Sequence, residues 1–453
     1  MLIKKVCSSV ALLLILIFAL SQYSFSQAKP ESNLEALADR YLAPYLEMKD
    51  FSGVVFLALE GKVLLSKGYG MSNYEHRVPN TPRTRFHIAS ISKTFTAAAI
   101  VILQKKGLLS FDDKLSKFIP GYPNGDVIKL EHLLTHSAGI PDYWNLPDVG
   151  KIKMSDLTLE ELVAWLKTRP LDFSPGTRNQ YSNSGYTLLA YVIEKVSKQP
   201  YEEFLREQIF EPLGMKDTGS FFHGPLIHNR ASGYDPWIEP DGLINAPYYS
   251  GSLLIGSGSH YSTAEDLYRW YQAIRDKRFF GLDSFAHPYG WGERKYFGRR
   301  LIEQNGRDPG FACCLSAYLE DDLCVIVLSN IESEAVAQIK QSLTAMILGE
   351  DYKTPQLRNS VAVAPALLDE YEGRYEVSPD FVLTVKREDK HLFLKGGNGP
   401  YLPLEPLSDK RFFYRQLYVS VVFEKDASGR VTKLLWDGQF PCKRMDRQRE
   451  EKR

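Results

Sequence analysis

Apolar and polar positions change period several times along this chain. Phe51–Leu59 and Val63–Gly68 are β-type apolar runs around a Glu60-Gly61 turn, which predicts a hairpin. From Ser92 to about Ser220 the spacing is mainly helical, clearest over Leu157–Thr168 and Gly185–Val196. Gly/Ser/Tyr-rich loops run from Gly224 to Ser262. Thr263–Arg275 then reads as a helix, with Thr263 as its cap and Asp266 three residues on. Phe311–Leu319 and Leu323–Asn330 predict a hairpin turning at Asp321-Asp322, followed by a helix over Glu334–Leu348. Strands at both ends with helices between them predict that the terminal strands meet in one antiparallel sheet.

After Asp351–Pro365, read as a linker with Pro355 and Pro365, the pattern becomes all-β. Phe381–Arg387, His391–Lys395, Arg411–Tyr414, Val419–Glu424 and Val431–Trp436 are short strands at close spacing, with a turn at 426–430. They predict a small barrel or sandwich over residues 366–445, ahead of a charged tail at 446–453.

The N-terminus adds a compartment. Met1-Leu2-Ile3-Lys4-Lys5, the apolar run Val10–Leu20 and the small-residue exit Ser21–Ala28 form a signal-peptide pattern over residues 1–26. Ser24-Phe25-Ser26 is the candidate cleavage site before Gln27. The expectation is a secreted or periplasmic protein that meets the membrane only through this segment, which would act as an anchor if uncleaved. Cys7 precedes the apolar run, so it is not placed as a lipidated cysteine. With 453 residues and 44% hydrophobic content, the chain has room for a large core and more than one domain. Lys+Arg and Asp+Glu are 55 each, with no basic stripe, which argues against a nucleic-acid partner.

Cys313, Cys314, Cys324 and Cys442 remain after the signal segment. In the expected hairpin Cys324 faces Leu319, about five residues from Cys314. That is roughly 16 Å along a strand, beyond disulfide reach. Buried free thiols are expected, and no cysteine or histidine spacing predicts zinc. His132 and His136 are four apart, but no Glu follows His132, so a structural turn is expected rather than a metal site. No metal or cofactor is expected.

The candidate chemistry centres on Ser90-Ile91-Ser92-Lys93, at the start of an alanine-rich helical stretch. Residues three apart on a helix share a face, so Ser90 and Lys93 can touch. A serine hydroxyl needs a base to become a nucleophile, and lysine can be that base if its pKa is lowered. Tyr181-Ser182-Asn183 lies in a loop that enters a helix at Tyr186. A tyrosine there can reach the serine, and a lysine ammonium beside it would favour its phenolate. The amide of Asn183 can hold both a lysine and a substrate. Tyr234, Trp237, Tyr248 and Tyr249 fit a cleft lining and ordinary loop anchoring equally well.

The order S-x-x-K, Y-x-N, then a strand motif ending in glycine resembles the serine β-lactamase/penicillin-binding-protein superfamily. The chain looks most like the class C β-lactamase-related branch, with its D-aminopeptidases, D,D-carboxypeptidases and esterases. Leu133-Leu134-Thr135-His136-Ser137-Ala138-Gly139-Ile140-Pro141-Asp142-Tyr143, Glu211-Pro212-Leu213-Gly214-Met215 and Tyr261–Leu267 match as well. The resemblance implies an α/β (α+β) fold: a β-lactamase/transpeptidase-like antiparallel sheet flanked by helices, plus a helical subdomain, over residues 27–350. It implies Ser90 as acylated nucleophile, with Lys93 and Tyr181 sharing acid and base work. Asn183 would orient Lys93 and substrate.

The strand motif departs from the family's Lys-Thr-Gly or His-x-Gly. Here it reads Gln304-Asn305-Gly306-Arg307. Gln304 can donate a hydrogen bond but cannot neutralise a carboxylate. Arg307 is the neighbouring cation, and its backbone N–H would join that of Ser90 in an oxyanion hole. Gly306 would allow close approach of substrate. The expected function is an exported serine hydrolase acting through an acyl-enzyme on small esters or D-amino-acid amides and peptides. The alternative is a catalytically weakened penicillin-binding or sensor protein.

Overall fold

Gly53–Leu59 (β1) is apolar along its length because it has a strand on either side and a covered surface above and below. In the computed structural model, which describes residues 31–221, 226–238, 242–279, 289–379, 381–397 and 399–445, it pairs with Lys62–Tyr69 (β2) on one side. On the other it pairs antiparallel with a strand 270 residues away in register at Gly53↔Ser329 and Val55↔Val327, which closes the sheet from the two ends of the chain. The remaining strands are Gly292–Tyr296 (β3), Arg299–Asp308 (β4), Phe311–Tyr318 (β5) and Leu323–Ser329 (β6), in the sheet order β3-β4-β5-β6-β1-β2. The signal segment 1–26 and the tail 446–453 lie outside the described residues. The chain divides into a leading unit up to Tyr41, which holds the start of helix Glu31–Glu47, and a unit from Leu42 onward.

Successive strand residues point to opposite faces. Val54, Phe56, Ala58, Leu315, Ile326 and Leu328 join the main core. That core includes helices Ser92–Lys105 (α1), Asn183–Ser197 (α2) and Ala264–Arg275 (α3). The intervening positions, such as Val55, Leu57, Val325 and Val327, are equally buried on the other face, where Ala335–Leu348 (α4) packs against β5 and β6. Thr263 caps α3 by accepting from the Asp266 N–H, as its sequence predicts. Among the described residues no helix is long and apolar enough to cross a membrane.

Three expectations need correction. The β5–β6 connection is Leu319–Asp322 rather than a tight turn at Asp321-Asp322, so Cys324 faces Ala317, not Leu319. Cys314 faces Val327, and Cys313, Cys314, Cys324 and Cys442 are all free and buried. Helix α2 starts at Asn183 rather than Tyr186, because the Ser182 side chain caps it by accepting from the Gly185 N–H. Ser90 does not open α1. It sits in a separate 3-10 turn, Ala89–Ile91, and α1 begins at Ser92.

Beyond an irregular stretch to Ala364, helix Pro365–Tyr371 leads into eight strands that form a closed barrel. Gly373–Ser378 (β7), Phe381–Glu388 (β8), His391–Gly396 (β9), Leu402–Pro406 (β10), Arg411–Tyr414 (β11), Val419–Lys425 (β12), Val431–Trp436 (β13) and Phe440–Arg444 (β14) pair in sequence. The β7–β14 pairing, Tyr375↔Arg444, closes the ring. Strands β7, β10 and β14 escape the sequence pattern: β10 contains two prolines, β14 one, and β7 is half polar. The interior is packed with side chains such as Tyr375, Leu394, Leu404, Phe412 and Leu434, and Tyr371 stacks on Phe423 at 4.2 Å.

Candidate active site

The site is assembled where α1, α2 and β4 converge. Lys93 lies in the first turn of α1 and is fully buried. Its ammonium group has three N–H donors, and it meets three acceptors: Ser90 Oγ at 2.9 Å, Asn183 Oδ1 at 2.7 Å and the Ser257 carbonyl at 2.7 Å. None of the three is a carboxylate. Burial therefore dominates and draws Lys93 down to about 7, opposed by the more distant Asp142 and Asp308. Near neutral pH a large fraction of Lys93 is a free amine.

Ser90 Oγ is also 2.6 Å from the Tyr181 hydroxyl, so the serine is held between the lysine and the tyrosine. Tyr181 is half-exposed, and desolvation raises its phenol above the ordinary value, the direction opposite to the expected phenolate. Residue Ala89, just before the serine, has φ +44°, in the left-handed region that a residue with a Cβ rarely occupies. Such strain is sustained only where surrounding contacts enforce it. It turns Ser90 out of the helix line toward Tyr181.

Asn183 sits in the first turn of α2, where the Ser182 cap places it. An amide can present either oxygen or nitrogen. Here Nδ2 donates to Asp142 Oδ2 at 2.9 Å, which leaves Oδ1 for Lys93. Asp142 is itself buried and pushed above the usual carboxylate range by that burial. His136 packs its ring 4.6 Å from that of Tyr181 and accepts the Ser182 N–H at Nδ1. Burial and the nearby Lys93 hold its imidazole at about 3, so it is a neutral buttress. His132 accepts the Lys129 N–H instead, so the two histidines serve separate turns.

The strand motif lies on β4. Strand β3 pairs with β4 only as far as Glu303, which leaves the edge of Gln304–Asp308 open toward Ser90. Gln304 turns inward and its Nε2 donates to the Ser90 carbonyl at 3.1 Å. It braces the Ser90 backbone. Gly306 is required for a different contact from the one expected: a Cβ there would fall 2.1 Å from the Ile88 carbonyl oxygen. The close approach is between the strand and the turn that carries Ser90. Asn305 is exposed beside them. Arg307 is already engaged, with Nε 2.7 Å from Glu332 and Nη1 3.4 Å from Glu334.

These groups open on a cavity of about 400 Å³, whose walls include Trp144, Leu254, Gln304, Arg307, Ala312 and Glu334. Asp308 also lines it and accepts a hydrogen bond from Tyr249; burial pushes its carboxyl to about 8. Asp142, Ser257 and Asp308 carry no local sequence signal as site residues. Ser257 falls in the Gly/Ser/Tyr-rich loops read from the sequence, but its role as a lysine acceptor depends on the fold. Tyr249 belongs to the aromatic run and donates its hydroxyl to Asp308 in the cavity wall. Among the described residues no cluster of metal-ligating side chains is present.

A nucleophile-positioned serine held between a buried lysine and a tyrosine, beside an open strand edge, defines a serine-hydrolase type of protein. The chain belongs to the Beta-lactamase family, whose model matches residues 38–345. A second model, "Domain of unknown function (DUF3471)", matches residues 357–451, the barrel region. Penicillin-binding protein 4* of Bacillus subtilis (strain 168) is 29% identical over 413 residues, spanning 83% of this chain and 91% of that protein. A penicillin-binding protein from Bacillus halodurans shares the fold with a TM-score of 0.58 and 28% identity, over 68% of this chain and 98% of that one. The D-amino acid amidase of Ochrobactrum anthropi SV3, in complex with D-phenylalanine, superposes with a TM-score of 0.62 at 23% identity, over 70% of this chain and 99% of that one, a likeness of fold.

Proposed function

We propose that this chain is an exported serine hydrolase that works through an acyl-enzyme on small esters or D-amino-acid amides and peptides. The observation that carries the reading is the position of Ser90 Oγ, 2.9 Å from Lys93 Nζ and 2.6 Å from the Tyr181 hydroxyl. Neutral Lys93 takes the Ser90 proton as Oγ attacks the substrate carbonyl carbon. The negative charge that forms on the carbonyl oxygen is met by the backbone N–H groups of Ser90 and Arg307. As the carbon–leaving-group bond breaks, the proton returns through Lys93 and Tyr181 to the departing oxygen or nitrogen. Water then attacks the ester on Ser90 with the same pair as base, which releases the acid and restores the serine. Asn183 holds Lys93 and offers its amide to the substrate.

Gln304 shapes the substrate choice. A neutral amide turned to the Ser90 carbonyl gives no counter-charge to a substrate carboxylate. Esters and amides without a free carboxylate next to the scissile bond fit best. The loss of the strand cation at Gln304 favours a second reading, a catalytically weakened penicillin-binding or sensor protein of the same fold.

Intact-protein mass after incubation with a fluorophosphonate probe, for wild type beside Ser90→Ala, tests both. A single adduct on wild type alone supports the acyl-enzyme. A stable penicillin adduct with no turnover of p-nitrophenyl esters or D-amino-acid amides would favour the second reading. No adduct with either reagent would overturn the acyl-enzyme and favour a sensor protein that has kept the fold and lost turnover.

A further inference from the structure

One turn of the C-terminal barrel is buried in the rest of the protein. Arg415 follows β11 and is 8% exposed. All five of its N–H donors are taken. Nε donates to Asp50 Oδ1 at 2.9 Å, Nη1 to the carbonyls of Trp237 and Gly242 at 2.6 and 2.8 Å, and Nη2 to those of Met48 and Lys49 at 2.8 and 2.9 Å. Arg358, on the stretch that leads to the barrel, holds the other Asp50 oxygen at 2.7 Å and Glu405 at 3.0 Å. A buried fork of this kind cannot shift without leaving several polar groups unpaired, so the turn is fixed in place.

The backbone of the same turn is spent elsewhere. The Arg415 carbonyl accepts the Ser333 hydroxyl at 3.1 Å, and the Gln416 carbonyl accepts the Glu334 N–H at 2.9 Å. Ser333 and Glu334 lead into α4, and Glu334, Val336 and Ala337 line the cavity that holds Ser90. Glu332 and Glu334 in turn hold the Arg307 guanidinium. A continuous run of contacts therefore joins the barrel to residues that line the same cavity as Ser90.

We infer that the Arg415–Gln416 turn of the barrel is a positioning element of the substrate cavity. It fixes Ser333 and Glu334, and through them the wall formed by Arg307 and the start of α4. The role rests on the acyl-enzyme reading of that cavity. The barrel thereby acts on the fit of substrate and leaves the Ser90–Lys93–Tyr181 chemistry to the larger domain.

The test uses full-length Arg415→Ala. KM for p-nitrophenyl butyrate should rise about tenfold, since small misplacements of a wall are costly, while the rate of fluorophosphonate labelling at Ser90 stays within about twofold. Hydrogen exchange should quicken at 333–337, a readout that needs no turnover. Unchanged exchange there would overturn the inference, as would labelling that falls in parallel with turnover. Should Arg415→Ala fail to fold, Asp50→Asn, which keeps the shape and removes the charge, decides by the same readouts. Absence of labelling in wild type would instead sink the acyl-enzyme reading, and the exchange result would still stand.

Discussion

Strand β4 separates two buried lysines that meet opposite environments. Glu303 and Gln304 are neighbours, so their side chains leave the strand on opposite faces. On one face Glu303 pairs with Lys340 of α4, with Arg294 at 2.8 Å on its other oxygen. On the other face Gln304 reaches the turn of Ser90, and Lys93 meets only a hydroxyl, an amide oxygen and a carbonyl. Its nearest acid, Asp142, is kept one residue away by the Asn183 amide. The Lys340–Glu303 contact ties helix α4 to strand β4. A lysine satisfied by neutral acceptors pays for burial with its proton, and becomes a base near neutral pH.

The strongest way to break this contrast is to remove each lysine. Lys93→Met is expected to lower kcat/KM about 10⁴-fold with near-normal thermal stability. Lys340→Met should leave Ser90 labelling within about twofold but destabilise the fold by about 3 kcal/mol, because Glu303 is left buried with one cation fewer. Labelling rates and denaturant melts of the two variants check both halves. Comparable loss of activity in both would remove the distinction.

Next in size is Tyr181→Phe. It deletes the hydroxyl beside Ser90 Oγ and should slow Ser90 acylation about 100-fold without moving the pH midpoint, which belongs to Lys93. A midpoint that vanishes with the hydroxyl would reassign the base to Tyr181.

The pH profile sharpens the comparison further. The lysine is active without its proton, so the labelling rate should rise with pH through about 7 and level off above it. The stability sign follows the same shift: between about 7 and the ordinary lysine value the unfolded chain binds more protons, so stability rises with pH across that window. Asp142→Asn removes a carboxylate that holds the Lys93 value up, so the midpoint should move below its wild-type position. Its rate should fall about tenfold because Asn183 loses the partner that fixes its orientation. Glu303→Gln, on the far face, should leave the midpoint unmoved.

The smallest expected change is a gain. Gln304→Lys introduces a cation beside Ser90 and should raise acylation by penicillin relative to p-nitrophenyl butyrate by about tenfold. An unchanged ratio, read by adduct mass, would mean that carboxylate recognition in this cavity does not run through position 304.

Much of this was written in local sequence. The continuous apolar runs of β1, β5 and β6 and the capped pattern of α3 depend on neighbours in the chain, and both emerge as expected. The triplet spacing of Ser90 and Lys93 likewise brings them together although the serine lies in a separate turn. Strands β7, β10 and β14 were hidden because barrel closure, not local pattern, makes their polar and proline-bearing segments pair. The sequence by itself determined which residues are candidates for chemistry and most of the runs that are strands or helices, since these follow from side-chain type and spacing. Only the tertiary structure decided that Lys93 is a base, that Gln304 and Gly306 serve the nucleophile's backbone, and that Arg415 props the cavity wall. Each of those depends on desolvation and on contacts between residues far apart in the chain, which no local pattern encodes.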